Sequence, residues 1–515
     1  MPCGLLPPRP EQCRERRTIA EEEGLSRQHR HDPSEKLIGM ELHLERGRIR
    51  AVMPNAVGVV IRTETRTYEF PGCVVLPGFV DNHAHILGLG SRLASVSLHD
   101  AASIAECRAR LQQAVIPDTG WLQAMGWNQE LWSDGRMPSA SDLDDLFPTT
   151  PVVASRVDGH AMWLNSEALR RAGITNSNGL LVEDERDPVW TSIPEPTEQD
   201  LRSRIAAAAQ ACVQQGVTEV HDMDVAPRVV VVMREMAETG ALPIRVQSFV
   251  SAQHDEWIDA GLLPAGGEIQ RTAGVKLYAD GALGSRTAAL LSDYADDAGN
   301  TGMAILTVDQ ITRAVRAAID AGWWCVAIHA IGDAAVRTVL DAYAIVRSWD
   351  DGSEILLRIE HAQHVHPDDV HRFAELNVAA CVQPTQWVSD SKMALLRVGA
   401  ERQSWAYRWR SLLDSGALVG AGSDFPIEEV DPIAGIAAFV NRPSSEAITI
   451  DQALDAFTSQ AHRTADMNYR RGQLDVGYDA DLVILDRDPR TTPSAELANI
   501  RVMATFMAGQ LRYTA

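Results

Sequence analysis

The feature that most constrains this chain is an alternation of short β-branched runs with longer Ala/Leu/Arg-rich stretches of helical period. Parallel strands need long crossover connections, so this alternation predicts β-α units around a parallel sheet. The runs are 74–80, 217–221, 244–250, 274–278, 325–329, 356–361, 378–382 and 418–422. Eight is the number of strands that closes an α/β barrel of the (β/α)₈ type. An open doubly wound sheet is the alternative, and the strand count favours closure.

Four segments depart from the β-α repeat. Residues about 95–200 form a connection too long for one helix, which predicts a subdomain inserted after the first barrel strand. Segments 37–70 and 472–513 alternate with period two and are expected to pair as a small flanking β-sandwich. The aperiodic Pro/Arg/Glu-rich start favours a disordered tail. The predicted division is a tail at 1–35, a sandwich at 36–72 and 470–515, and a barrel at 73–469.

Charge and hydropathy exclude several classes of partner. Lys and Arg total 47 against 70 Asp and Glu, and the net charge of −23 repels nucleic-acid phosphates and anionic membrane surfaces. No stretch approaches the roughly 18 apolar residues of a membrane span, and no signal peptide is apparent. We therefore expect a cytoplasmic protein with a small-molecule substrate and neither nucleic acid nor membrane as partner. A homodimer is left open.

Two histidines follow the first run, and their spacing points both imidazoles to one side. His83 and His85 lie in Phe79-Val80-Asp81-Asn82-His83-Ala84-His85, and alternate residues of a strand share a face. The same spacing occurs in the charged tail, where solvated histidines are expected, and after the sixth run, where a position near the site is left open. These pairs are His29-Arg30-His31 and His364-Val365-His366.

Three later runs also end on residues that bind metals. His329 and His361 close the fifth and sixth runs, and Asp424 follows the eighth. Because the carboxyl ends of barrel strands meet at one face, these side chains are expected to converge with His83 and His85. Imidazole and carboxylate ligands suit Zn²⁺ or a similar divalent ion. The sequence therefore predicts a centre of one or two metal ions.

The ligand pattern, together with finer motifs, resembles the amidohydrolase superfamily and its YtcJ-like branch, which includes N-substituted formamide deformylases. The resemblance covers about residues 37–513. It implies hydrolysis of a C–N bond, in an amide, N-formyl or cyclic amide substrate, by a metal-activated water with Asp424 as catalytic base and acid. The motifs are Gly126-Trp127-Asn128, Asp158-Gly159-His160, Gly274-Val275-Lys276-Leu277-Tyr278-Ala279-Asp280-Gly281, His329-Ala330-Ile331-Gly332-Asp333 and Arg358-Ile359-Glu360-His361-Ala362-Gln363.

Lys276 ends the fourth run, where many binuclear relatives place a carboxylated lysine that bridges two metals. The resemblance therefore implies Lys276 as a further metal ligand. The alternative is an unmodified lysine that pairs with Asp280 or with a substrate carboxylate. The environment of the amine decides between the two forms, because carboxylation needs a desolvated, deprotonated amine.

Five residues are candidates for substrate contacts. Two lie in the insertion, one ends the second run, and two lie at or after the fourth run. Core packing is the alternative for the tryptophan, and a structural ion pair is the alternative for the arginine. The candidates are Trp127, His160, His221, Asp280 and Arg286.

Two other functions compete with amide hydrolysis. A deaminase of a heterocyclic amine would use the same barrel, but such enzymes generally have a glutamate near the fifth-strand histidine, whereas His329 is followed by Ala330-Ile331-Gly332-Asp333. A metal-free interaction scaffold would have lost ligands, and this sequence retains every expected one.

Overall fold

The structure is a computed structural model that describes residues 39–515, except 56, 118, 134, 158–160, 176, 253–263 and 468, and except the side chains of 183 and 184. The predicted tail at 1–35, with the His29-Arg30-His31 pair, lies outside the described residues.

The strands fall into four sheets. In chain order they are β1 (Met40–Glu45), β2 (Arg48–Pro54), β3 (Gly58–Arg62), β4 (Thr67–Pro71), β5 (Val74–Pro77), β6 (Phe79–Ala84), β7 (Val96–Ser97), β8 (Leu122–Trp127), β9 (Val152–Arg156), β10 (Ala161–Leu164), β11 (Leu180–Val182), β12 (Val217–Val225), β13 (Arg245–Ser251), β14 (Gln270–Tyr278), β15 (Cys325–Ala330), β16 (Leu356–His361), β17 (Val378–Val382), β18 (Val419–Ala421), β19 (Leu482–Leu485), β20 (Val502–Met507) and β21 (Gln510–Thr514).

Fourteen α-helices are described. They are α1 (Ile86–Ala94), α2 (Ile104–Gln112), α3 (Ser166–Arg171), α4 (Asp187–Ser192), α5 (Glu198–Gln214), α6 (Pro227–Glu238), α7 (Val308–Asp320), α8 (Asp333–Arg347), α9 (Val370–Glu375), α10 (Pro384–Gln403), α11 (Trp409–Asp414), α12 (Pro432–Asn441), α13 (Ile450–Ala456) and α14 (Ser459–Arg463). Among the described residues, no helix combines the length and apolar composition needed to cross a bilayer.

Eight parallel strands form the central sheet, in the order β18-β17-β16-β15-β14-β13-β12-β6. The backbone N–H of Asp424, just after β18, donates to the carbonyl of His83 in β6 at 2.7 Å, and this contact brings the two edges of the sheet together. The predicted (β/α)₈ barrel is confirmed. Seven of the eight predicted runs coincide with barrel strands to within a few residues at each end.

The first predicted run, 74–80, is divided between two sheets and corrects the expectation of one barrel strand. Its first part is β5, which pairs antiparallel with β19 outside the barrel, and its second part begins β6. Gly78 separates them, and a Cβ at this position would lie 2.3 Å from Thr218 Oγ1. Only glycine fits this close approach to β12.

The chain ends form two four-stranded sheets, with orders β2-β1-β3-β4 and β21-β20-β19-β5. Period-two alternation buries Leu42 and Leu44 of β1 in a shared apolar core with Leu482 and Ile484 of β19. The sequence prediction of a small sandwich from both chain ends is confirmed. The exact domain boundaries stay a prediction.

The long connection after β6 folds around its own sheet, β11-β10-β9-β8-β7, as predicted for the inserted subdomain. The chain returns to the barrel through α5, whose start is set by a capping box in which Thr197 and Asp200 satisfy each other's backbone N–H groups. Leu201, Ile205 and Ala208 then recur at helical spacing and are buried against the barrel.

Candidate metal centre

The ends of β6 and β18 bring three ligand-type side chains together. His83 Nε2 and His85 Nε2 lie 3.5 and 3.3 Å from Asp424 Oδ1, and the three ligand atoms are all within 4.8 Å of one another. Asp424 has φ 62°, in the left-handed region that residues other than glycine rarely adopt. Such strain is concentrated at functional sites, because surrounding contacts must maintain it.

Hydrogen bonds at Nδ1 leave Nε2 of both histidines directed at Asp424. His83 Nδ1 lies 2.6 Å from Glu360 Oε2 and donates to it, since a carboxylate only accepts. His85 Nδ1 donates to the Met223 carbonyl at 3.0 Å. Neutral rings with this tautomer have a lone pair on Nε2, so two lone pairs and a carboxylate oxygen meet at one point. Acceptors alone repel each other there, and a divalent cation fits this donor set.

The pKa values of the two histidines shift in opposite directions. Burial, with the charge of Lys276 nearby, holds the pKa of His83 well below its ordinary value. Burial also lowers the pKa of His85, but the hydrogen bond and charge of Asp424 outweigh it and the net shift is upward. The Asp424 carboxylate therefore favours positive charge where the two rings meet.

His361 and His329 extend the group of imidazoles. The His361 ring centroid lies 4.7 Å from that of His83 and 4.6 Å from that of His329. His361 Nδ1 donates to Gln383 Oε1 at 2.8 Å, which leaves Nε2 free, whereas His329 Nε2 donates to the Gly281 carbonyl at 3.2 Å, which leaves Nδ1 free. Burial lowers the pKa of His329 to about 3 and that of His361 well below its ordinary value, so both are neutral, as metal ligands must be.

Lys276 lies beside these rings, on β14. Its side chain is 1% exposed, and its Nζ stands 4.3 Å from the ring centroid of Tyr278, which in turn lies 5.3 Å from the His329 ring. Burial lowers the pKa of Lys276, although the charges of Glu360 and Asp424 raise it. A lowered pKa favours the neutral amine that carboxylation requires. Carboxylation itself stays a prediction.

Sequence reasoning missed the polar side chains that hold the ligands. Glu360 and Gln383 accept from two of the histidines, as described above, and Gln386 Nε2 donates to Asp424 Oδ2 at 3.0 Å. A signal existed for Glu360, because period two places it on the same face of β16 as Arg358. For the two glutamines the only signal was their position after a barrel strand.

The second His-x-His pair lies after the sixth strand but is held by other contacts. His364 is buried, and burial lowers its pKa to about 4. The His366 ring contacts Trp405 edge-to-face, with ring centroids 4.8 Å apart, and its Nδ1 accepts the backbone N–H of Asp368 at 3.2 Å. These contacts indicate structural roles for the pair.

Trp127 packs inside the insertion. Its side chain is 0% exposed, its indole N–H donates to the Ala154 carbonyl at 2.8 Å, and its ring lies 5.7 Å from that of Trp132. This environment favours core packing, the alternative that the sequence left open to a substrate contact. His160 lies outside the described residues, so its role stays a prediction.

Two more candidates, Asp280 and Arg286, are held by protein groups in the loop after β14. Arg286 Nε and Nη2 lie 3.1 and 2.9 Å from the carboxylate of Asp296, the structural pair considered as its alternative. Burial raises the pKa of Asp280 to about 7, although hydrogen bonds lower it. The Asp280 carboxylate accepts three backbone N–H groups, from Ala289, Ile331 and Gly332, at 2.9, 3.0 and 2.8 Å. These contacts indicate that Asp280 holds the loop in place.

His221 is an internal link in the barrel. It is 0% exposed, its Nδ1 accepts from Arg358 Nη1 at 2.9 Å, and its Nε2 lies 3.4 Å from Glu219 Oε1. A side chain with no exposed surface and both ring nitrogens engaged cannot line a substrate pocket, which corrects the expectation.

Comparison with known proteins adds four findings. The sequence profile described as the amidohydrolase family matches residues 70–513. The chain is 30% identical to YtcJ of Bacillus subtilis over 487 residues, covering 87% of this chain and 91% of the relative. It is 23% identical to the N-substituted formamide deformylase of Arthrobacter pascens over 495 residues, covering 87% and 90%. An uncharacterized metal-dependent hydrolase from Pyrococcus furiosus shares the fold, with a TM-score of 0.77 and 29% identity over 88% of this chain and 99% of that chain.

Proposed function

Since the chain belongs to the amidohydrolase family and is a metal-dependent hydrolase, we propose that it hydrolyses a C–N bond in an amide, N-formyl or cyclic amide substrate. The observation that supports this most directly is the convergence of His83 Nε2, His85 Nε2 and Asp424 Oδ1 at the barrel mouth. The deformylase among the relatives acts, by its name, on an N-substituted formamide, which is the same class of bond.

The ligands proposed for a divalent ion, with Zn²⁺ as the first candidate, come from the ends of four strands. When bound, such an ion polarises a carbonyl oxygen and lowers the pKa of water toward neutrality. The histidines contribute neutral nitrogens, because each donates its ring proton to an oxygen of the protein. The ligands are His83, His85, His329, His361 and Asp424, with Lys276 in reach of a second ion.

Asp424 is the residue that we assign to proton transfer. An amide is a poor electrophile and an amine anion is a poor leaving group, so the attacking water must lose a proton and the leaving nitrogen must gain one. The Asp424 carboxylate faces the histidine rings through Oδ1, and Gln386 fixes its orientation through Oδ2. A carboxylate so placed takes the proton from water and returns it to nitrogen, a role that typically contributes about 10²–10⁴-fold in rate.

The proposal is tested with the zinc-loaded protein and a panel of N-formyl amines, N-acyl amines and cyclic amides. We expect carboxylate and amine products from at least one class, and loss of both metal and activity in His361→Ala. His366→Ala is the matched control, because that histidine packs edge-to-face against Trp405 outside the centre, and its loss should leave both metal and activity unchanged. Ammonia release from heterocyclic amines, without cleavage of any amide, would instead establish a deaminase.

A further inference from the structure

We propose that Glu360 is a positioning residue for the metal centre: it holds His83 in the tautomer that presents Nε2, and Arg358 in turn holds Glu360. The inference rests on the proposed metal centre and adds residues that contact its ligands from inside the barrel. A series of contacts between buried side chains leads from Glu360 away from the metal centre. Its members are Arg358, His221, Glu219 and Arg471.

Glu360 is wholly buried and uses both carboxylate oxygens. Oε2 accepts from His83 Nδ1 at 2.6 Å, and Oε1 accepts from Arg358 Nε at 2.8 Å. A carboxylate has no proton to donate, so it determines that the His83 proton resides on Nδ1. The remaining lone pair on Nε2 then faces Asp424, at 3.5 Å from its Oδ1.

Arg358 cannot turn away from Glu360, because its other nitrogens are also engaged. Nη2 donates to the carbonyl and side-chain oxygens of Asn82, at 2.8 and 2.6 Å, and Nη1 donates to His221 Nδ1 at 2.9 Å. Arg358 is 0% exposed, and a buried guanidinium with these acceptors has a single geometry. Glu360 is therefore held at a fixed distance from His83.

Glu219, at the far end of this series of contacts, offers a matched control for Glu360. Glu219 is also 0% exposed and also pairs with an arginine and with histidine rings: Oε2 lies 2.7 Å from Arg471 Nη1, and Oε1 lies 3.4 Å from His221 Nε2 and 3.5 Å from His462 Nδ1. Its described contacts do not include any of the proposed metal ligands. Glu219 thus shares the burial and pairing of Glu360 without the contact to His83.

The test compares Glu360→Gln with Glu219→Gln by competition between each protein and a chromophoric chelator for Zn²⁺. The glutamine oxygen replaces only one of the two carboxylate oxygens, so it cannot accept from both His83 Nδ1 and Arg358 Nε, which contact different oxygens of Glu360. If its oxygen accepts from Arg358, its amide N–H groups face His83 Nδ1 and favour the tautomer that has the proton on Nε2. We expect zinc affinity to fall about 10–100-fold in Glu360→Gln and to stay at the wild-type value in Glu219→Gln.

Thermal melting of the metal-free proteins separates folding from positioning, since both variants lose a buried ion pair and only one is expected to lose zinc affinity. If Glu360→Gln does not fold, Glu360→Asp provides the same test, because it retains the charge and withdraws the carboxylate from His83. Wild-type affinity in the Glu360 variant, or equal losses in both glutamate variants, would overturn the positioning role alone. Wild-type protein that binds no divalent ion would overturn the metal centre as well.

Discussion

Asp424→Asn separates the two roles proposed for this residue. An asparagine oxygen still coordinates weakly, and four imidazoles remain, so we expect the variant to retain at least one metal ion. It cannot take a proton from water, so kcat should fall by the contribution of general acid–base catalysis, about 10²–10⁴-fold, which corresponds to about 3–5 kcal/mol in the barrier.

The control for Asp424→Asn is a variant that removes only the hydrogen bond between Gln386 and Asp424. Gln386→Ala removes the 3.0 Å contact to Asp424 Oδ2 but leaves the carboxylate in place. A hydrogen bond to a charged group contributes about 1.5–3 kcal/mol, so this variant should lose less activity than Asp424→Asn. Both variants are measured by steady-state kinetics on the best amide substrate and by metal analysis. A near wild-type kcat in metal-loaded Asp424→Asn would refute the assignment of proton transfer to Asp424.

Three further predictions concern other parts of the molecule. If Lys276 is carboxylated, Lys276→Arg should lose one metal equivalent by elemental analysis, because a guanidinium forms no carbamate; unchanged stoichiometry would leave only an unmodified lysine. Arg245 Nε lies 2.7 Å from Asp481 Oδ2 in a buried pair, so Arg245→Met should cost about 3–5 kcal/mol in urea unfolding at neutral pH. Burial raises the pKa of Asp481, but Arg245 outweighs burial and holds that pKa below its ordinary value. The difference in unfolding free energy should therefore persist above about pH 4 and shrink as the pH falls through the folded-state pKa; a difference that is constant down to about pH 2 would contradict the pairing. Trp127→Ala should destabilise the insertion by about 3–5 kcal/mol in limited proteolysis, with unchanged metal content; loss of metal would place the residue nearer the centre than its packing indicates.

The sequence was most informative where a property belongs to one strand. Apolar runs between helical stretches located seven barrel strands closely, since burial on both faces requires continuous β-branched residues. The ligand histidines could be identified because each ends such a run. The error at 74–80 has a related cause: β5 and β6 are both buried and nearly continuous, and periodicity alone does not show that the chain changes sheets at Gly78.

The roles of single side chains depended on partners from distant parts of the chain. His221 ends a predicted run just as His329 does, yet β12 continues to Val225, so that His221 contacts Arg358 within the barrel, whereas His329 lies beside the His361 ring. Glu360 meets His83 across 277 residues of sequence. Two charged residues at alternate positions of the buried strand β16 imply that partners must exist, because unpaired buried charges are costly. How the strands are ordered around the barrel places Glu360 beside His83 at the metal end, whereas Glu219 meets Arg471, which comes from outside the barrel strands.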